Sequence, residues 1–359
     1  MAATRTFAFI GSYADAGGPG LYACAFDADE GKLEPLDRAD GLQNPTFLDV
    51  DAEAKRIYVI LESKNADGQR CGGAAAYEFD PAAGKMRRLN EEITLPATTC
   101  HLTLDRSRQC IMVASYHGGM IGLNPLLEDG RIGPTADIHR HEGSSILPAQ
   151  TQARAHSVIV DRANRYAVAS DLGLDRLIVY KLDVPGRKLI RHSETSIAPG
   201  SGPRHFVFHP TLPYGYGINE LNSTITVYAY DAENGRLDVV QTVSTLPEDY
   251  QGDNACADIH LSPDGKFLYG SNRGHDSLAV YAVDASSGQL RLVEHASTLG
   301  GHPRNFALSP DGRFVLVANR DSDNIVTFRR DAETGKLEPT GSEWKASKPV
   351  CIKFAEIAE

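Results

Sequence analysis

The sequence predicts an all-β chain: a seven-bladed β-propeller of four-stranded antiparallel blades. Three observations predict it. One turn recurs: DADEGKL (27–33), DPAAGKM (80–86), DVPGRKL (183–189), DAENGRL (231–237), DASSGQL (284–290) and DAETGKL (331–337), with LLEDGRI (126–132) as a looser seventh. One apolar strand recurs, with starts near 45, 100, 156, 204, 257, 304 and 350, at spacings of 46 to 56 residues. Helical periodicity is nearly absent. A single sheet cannot bury both its faces, so a period of ~40–50 residues with four strands per unit points to radial copies of one blade.

The clearest copy spans residues 203–243. RHFVFH (204–209) reads as a first strand, TLP as the turn, YGYGINE (214–220) as a second strand and STITVYAYD (223–231) as a third. DAENG turns the chain tightly, and RLDVVQTV (236–243) is the fourth strand. The other first strands are PTFLDVD (45–51), CHLTLDR (100–106), HSVIVDR (156–162), ADIHLSPDG (257–265), RNFALSPDG (304–312) and VCIKF (350–354). Nothing follows the last of these to complete its blade. Its partners must be TFAFIGSY (6–13), LYACAFD (21–27) and KLEPLDR (32–38) at the other end of the chain. The expected organisation is one domain, 1–359, closed by a blade built from about 1–43 plus 349–359, which leaves no free sheet edge. Two connections are long, 133–155 and 244–256.

Composition narrows the function. The chain has 359 residues, 42% of them hydrophobic, with a net charge of −11 and no Lys/Arg-rich run. That argues against nucleic acid or an anionic membrane as partner. No apolar run approaches the ~20 residues of a membrane span. MAATRTFAFIGSY lacks a basic region followed by a long apolar stretch, so no secretory signal is expected. Cys24, Cys71, Cys100, Cys110, Cys256 and Cys351 are scattered without a CxxC pair and read as reduced residues of a cytoplasmic protein. A monomer or weak homodimer is expected. His139 and His141 lie two apart in a loop and read as solvated, so no metal or cofactor is expected. There is no GxSxG nucleophile elbow, and GGPG (17–20) and HGG (117–119) lack the strand-to-helix context of a phosphate loop.

Blade geometry locates the chemistry. The inner strand starts at one face of the disc and the second strand returns to it, so these ends surround the mouth of the central channel. The strand-one starts are Thr46, Cys100, His156, Arg204, Ala257, Arg304 and Val350. The strand-two ends are Tyr13, Glu62, Tyr116, Asp171, Glu220, Arg273 and Arg320. Inter-blade salt bridges are one reading of so many charges, but buried pairs stabilise weakly once desolvation is counted. The distribution favours a pocket: cations come from blades four to six, counted from residue 45, and carboxylates from blades one, three and four. Arginine suits a carboxylate or phosphate because its planar fork binds two oxygens. His101, His205 and His260 follow or lie within inner strands, where satisfied core histidines are ordinary. His101 is kept as a substrate-binding candidate.

At these residues the sequence resembles the seven-bladed propeller lactonase family, which includes propeller-type 6-phosphogluconolactonases and the fungal 3-carboxy-cis,cis-muconate lactonising enzyme. The motifs are AHS (155–157), SDLGLDR (170–176), GSGPRHFVFHP (200–210), INELNST (218–224), ADIHLSPDG (257–265), SNRGHDS (271–277), PRNFALSPDG (303–312) and PVCIKF (349–354). The resemblance covers essentially the whole chain. It implies catalytic roles for His156, Arg204, Glu220 and Arg273, with His156 or Glu220 activating water. Glu62, His101, Tyr116, Arg154, Asp171, Arg304 and Arg320 are the expected substrate-binding residues. Arg154 stands where the family usually has histidine, and Arg320 where it has glutamine. The implied activity is hydrolysis of a small anionic sugar-acid lactone. The alternatives are a carboxy-muconate-type cycloisomerase or a non-catalytic interaction propeller, although the GH…WD signature of the latter is missing.

Overall fold

The structure, a computed structural model, describes residues 4–358. It contains seven antiparallel sheets of four strands each, arranged as a propeller. The blade first read from sequence has strands Pro203–Phe208, Tyr214–Asn219, Thr224–Asp231 and Arg236–Ser244. Each bound falls within one residue of expectation. The closing blade is also as expected. Pro349–Ala358 pairs with Thr4–Ser12, placing Ile352 opposite Ile10 and Ala355 opposite Phe7. Leu21–Asp27 and Lys32–Ala39 complete it. Residues 1–3 and 359 of the expected closing blade lie outside the described residues.

One connection is only partly a loop. Within 133–155, Asp137–Arg140 is the outer strand of the second blade and pairs with Met120–Pro125. The loose turn before it makes a single bridge, Leu126 to Ile132. Pro125 and Pro134 flank that bridge, and proline cannot donate to a ladder. The outer strand therefore resumes beyond them, which hid it from the repeat pattern.

The repeated turn is both local chemistry and inter-blade cement. Its leading aspartate caps two backbone amides: Asp231 Oδ1 accepts from Glu233 and Asn234 at 3.0 and 3.1 Å, and Asp284 and Asp331 do the same. Its glycine holds a left-handed φ, +59° at Gly235. The glycine also packs on an aromatic ring of the preceding blade, Gly235 on Tyr166, Gly288 on Tyr214 and Gly335 on Phe267. A Cβ at Gly235 would lie 2.3 Å from the Tyr166 ring. Gly235→Ala is therefore expected to destabilise the fold by about 1–3 kcal/mol. A lowered urea midpoint would show it, and an unchanged midpoint would remove close packing as the reason for this glycine. In DVPGRKL the left-handed position falls on Arg187, at φ 53°, one residue after the glycine.

The hydrophobic core lies between blades. Phe79 of the first blade meets Phe7 and Phe9 of the closing blade edge-on, with centroids 4.9 and 5.1 Å apart. Tyrosines add polar ties: Tyr58, Tyr216 and Tyr269 each donate to the carbonyl of a glycine in the next blade, at 3.1, 3.0 and 2.8 Å. This rigid packing fixes the inner strands that line the channel. No helix among the described residues is long and apolar enough to cross a membrane.

Candidate active site

Several inner strands begin with a β-bulge at the channel mouth. Pro203 pairs with Asn219 and His205 with Ile218, which leaves Arg204 unpaired. The same step leaves His156 between Ala155 and Ser157, and Arg304 between Pro303 and Asn305. A bulge re-aims the side chain of its extra residue. Two second-strand ends complete the arrangement: Glu220 follows Tyr214–Asn219, and Arg273 closes Phe267–Arg273.

All of these but Arg204 line a cavity of about 260 Å³ whose walls include Tyr13, Thr46, Glu62, Cys100, Tyr116, His156, Glu220, Arg273 and Arg304. Glu220 is its centre of charge. Its Oε2 lies 3.0 Å from Arg204 Nε and 3.0 Å from Arg273 Nη2. The Arg204 contact is an ion pair without hydrogen-bond alignment. Oε1 has no protein partner among the described residues. Arg273 is held by two further bonds, Nε to Ala255 O at 3.0 Å and Nη2 to Cys256 O at 2.7 Å. Arg204 sits one layer deeper and borders a void of only about 10 Å³. Its Nη1 donates to Ala257 O at 2.5 Å and lies 3.2 Å from His205 Nε2. Arginine has no acceptor, so His205 Nε2 accepts and its Nδ1–H donates to Asp258 Oδ1 at 2.7 Å. Asp258, His205, Arg204 and Glu220 thus form one buried chain of contacts.

Charge in this cavity is unbalanced. Arg304 has no carboxylate within ion-pair distance among the described residues; its guanidinium lies over the Tyr13 ring, 5.6 Å from the centroid. Glu62 is taken by Arg70 and by Asn44 Nδ2 at 3.1 Å. Arg273 and Arg304 in the wall and Arg204 beneath it therefore outnumber the one carboxylate among them, Glu220. Burial opposes ionisation of Glu220, but Arg273, Arg204 and Arg304 outweigh it and hold its pKa below the usual value. Burial, then Arg204, His205, Arg304 and Arg273, push His156 well below the ordinary imidazole range, so it is neutral at pH 7. Burial, then Arg273 and Arg304, lower Arg204 to about 9, still charged at neutral pH. Neither His156 ring nitrogen is hydrogen-bonded among the described residues. Nδ1 is sealed from solvent, which leaves Nε2 to meet the cavity. Cys100 is a wall residue, and burial pushes its thiol up to about 11, which makes it a poor nucleophile.

Besides Arg204, four expected site residues lie off the cavity wall. Asp171 pairs with Ala155, so it matches Asn219, and the equivalent of Glu220 is Leu172. A register slip of one residue turns a side chain to the other face. Asp171 is instead fully buried, accepting from the amides of Arg154, Gly173 and Leu174 and bonding His141 Nδ1 at 2.6 Å. His141, read as solvated, is correspondingly buried. Arg154 stacks behind Tyr116, 4.9 Å from its centroid, and supports the wall without forming it. His101 lies below the mouth against Phe47, centroids 4.3 Å apart. Arg320 has the expected register but opens a short 3-10 turn, Arg320–Ser322, that swings its fork onto its neighbour Asp321 at 2.6 and 3.1 Å. Arg320→Gln is accordingly expected to leave KM unchanged in steady-state kinetics. A raised KM would return this residue to the cavity.

Sequence reading passed over other wall residues. Tyr13, Thr46 and Cys100 were already ring positions. Asn44, Thr98, Thr99 and His117 sit on turns outside the strand repeat and had no periodic signal.

Comparison with known proteins converges on one family. The family described as "Lactonase, 7-bladed beta-propeller" matches residues 7–354. The 6-phosphogluconolactonase of Bacillus subtilis is 35% identical over 84% of this chain and 85% of its own. A crystal structure described as a putative 6-phosphogluconolactonase from Bacteroides fragilis superposes with a TM-score of 0.89 at 34% identity, covering 98% of both chains. The periplasmic gluconolactonase of Pseudomonas aeruginosa gives 0.91 at 32%, covering 98% of this chain and 99% of that one. From the bulged inner strands to the whole-chain match, these features make the protein a member of the seven-bladed β-propeller lactonase family.

Proposed function

We propose that the protein hydrolyses a sugar-acid lactone at the channel mouth, with 6-phosphogluconolactone the foremost candidate. The observation that carries this is the excess of guanidinium over carboxylate around a neutral, unpartnered His156. Water bound near His156 Nε2 loses a proton to it as the oxygen attacks the lactone carbonyl. Arg273 donates to the oxyanion that develops. The intermediate collapses, the ring C–O bond breaks, and the departing alkoxide takes the proton back from His156. The product is an open hydroxy acid whose carboxyl ionises. Glu220, doubly paired through Oε2, is a weak base; its role is to space the two arginines and to offer Oε1 to a substrate hydroxyl. Arg204 acts through Glu220 from beneath. Arg304 grips the substrate's remote anion.

The names of the relatives leave two substrates, one phosphorylated and one not. Three guanidiniums against the single carboxylate of Glu220 support the phosphorylated sugar. Six unpaired cysteines support a reducing compartment and hence the cytoplasm. A pH-stat assay of 6-phosphogluconolactone and gluconolactone, with muconates as controls, tests the reading. Turnover above spontaneous opening for the phosphorylated lactone supports it; turnover of none overturns it. Arg304→Met is expected to raise KM for the phosphorylated lactone by about tenfold, as loss of a charge-assisted hydrogen bond predicts, with little change for gluconolactone. An equal effect on both would move Arg304 from the phosphate to the lactone carbonyl.

A further inference from the structure

The channel has a second chamber beneath the mouth. Three imidazoles form the floor between them: His205 lies 5.4 Å from His156 and 5.4 Å from His101, ring to ring. Below that floor opens a larger cavity of about 520 Å³. Alternate residues of the inner strands face it, as the two-residue period of a strand requires. Phe47, Ile159 and Val207 supply an apolar wall, and Lys353, Arg106 and Arg162 supply cations.

None of these cations has a carboxylate within hydrogen-bonding or ion-pair distance among the described residues. Arg106 turns its N–H groups to the carbonyls of Asp161 and Val160, and Arg162 turns to that of Pro210. A carbonyl satisfies a donor without neutralising its charge. The Lys353 ammonium has no hydrogen bond among the described residues; it lies 5.2 Å from the centroid of the Phe47 ring. Burial works against that charge, but Asp49 and Asp258 hold its pKa above the ordinary value. Asp258 is the carboxylate of this wall, and it is already committed to His205 at 2.7 Å, His260 at 2.9 Å and Asn305. A second polar atom is also unsatisfied: His101 is 3% exposed and its Nδ1 has no partner. The carboxylates that support the Lys353 charge act from a distance, so the ammonium still faces the chamber with all its donors free for a ligand. A bound carboxylate would give the Lys353 ammonium a direct partner.

We propose that this lower chamber binds a small organic anion with an apolar body, its carboxylate on Lys353 beneath the Arg106 and Arg162 rim. The two ends of the channel would select different chemistries. The mouth offers Thr46, Tyr116 and Glu220 to the hydroxyls of a sugar. The lower chamber offers aromatic and aliphatic side chains, which suit an aryl or alkyl carboxylate and give a polyol few partners.

Fluorine NMR of para-fluorobenzoate titrated with the full chain tests this. Saturable line broadening is expected. Lys353→Met should weaken binding by about ten- to a hundredfold, Lys353→Arg should retain it, and Arg273→Met at the mouth should leave it unchanged. Near-UV circular dichroism confirms that each variant is folded. If Lys353→Met fails to fold, Val207→Glu, which places a carboxylate in the chamber wall to repel an anion, should abolish binding instead. Absence of saturable binding to the parent protein overturns the proposal, as does equal affinity in the folded Lys353 or Val207 variant. Loss in Arg273→Met would assign the probe to the mouth. Displacement by inorganic phosphate at the same affinity as the probe would remove the apolar half of the site.

Discussion

Replacing His156 with glutamine is expected to lower kcat by about 10²–10⁴, the usual contribution of a positioned general base. Glutamine keeps much of the side chain's volume but cannot take up a proton at neutral pH. The pH profile gives the sharper test. A base works in its neutral form, and the His156 pKa lies well below its ordinary value because of burial, then Arg204, His205, Arg304 and Arg273. Neutral imidazole is therefore fully present at pH 7 and is lost only in more acidic solution. The acid limb of kcat/KM should fall well under pH 6.5. Arg304→Met removes one of the cations responsible, so the His156 pKa rises and the limb moves up in pH. A phosphorylated substrate has the same effect by bringing negative charge to the arginines. The limb of kcat should then lie above that of kcat/KM. A limb that ignores Arg304→Met, with near-normal kcat in His156→Gln, would transfer the base role to Glu220.

Replacing Arg273 with methionine should lower kcat and kcat/KM together, by about 10²–10³. Arg273 is a wall residue and its fork is fixed by three oxygens: Glu220 Oε2, Ala255 O and Cys256 O. Fixed donors cost no reorganisation when the oxyanion forms. Arg273→Lys should recover little, because an ammonium cannot reach three planar partners and the substrate at once. If Arg273→Met raises KM and spares kcat, this arginine grips an anion present in the ground state, and the oxyanion donor must be sought elsewhere. Arg204→Met tests a different arrangement. Its loss frees Glu220 to shift, so both kinetic terms should change although Arg204 lies below the cavity wall.

Much of this was legible in the chain itself. The turn repeat carries its own physics, an aspartate that caps amides and a glycine that turns left-handed, so seven blades could be counted without coordinates. The unfinished strand at 350 required partners from the other terminus for the same reason: a sheet edge must be paired. His156, Glu220, Arg273 and Arg304 were placed at the mouth by strand ends alone, and each is a wall residue of the cavity.

Tertiary structure decided what repeats cannot. Asp171 is a carboxylate like Glu220 at the mouth, but one step of register turns it inward to hold His141. Only pairing with Ala155 shows that step. Arg320 keeps its register and loses the cavity because a carboxylate one residue away captures its fork. Strand periodicity assigns a residue to an end and a face; it does not say which counter-charge a long side chain finds. Arg204 sits deeper than a strand start implies, because a bulge changes how far its side chain reaches down the channel; His101, one residue past the start at Cys100, pairs regularly and lies below the mouth. The sequence thus determines the ring and the order of its blades through local turn chemistry and period. The depth of each group, its partner and therefore its charge come from contacts between residues far apart in sequence.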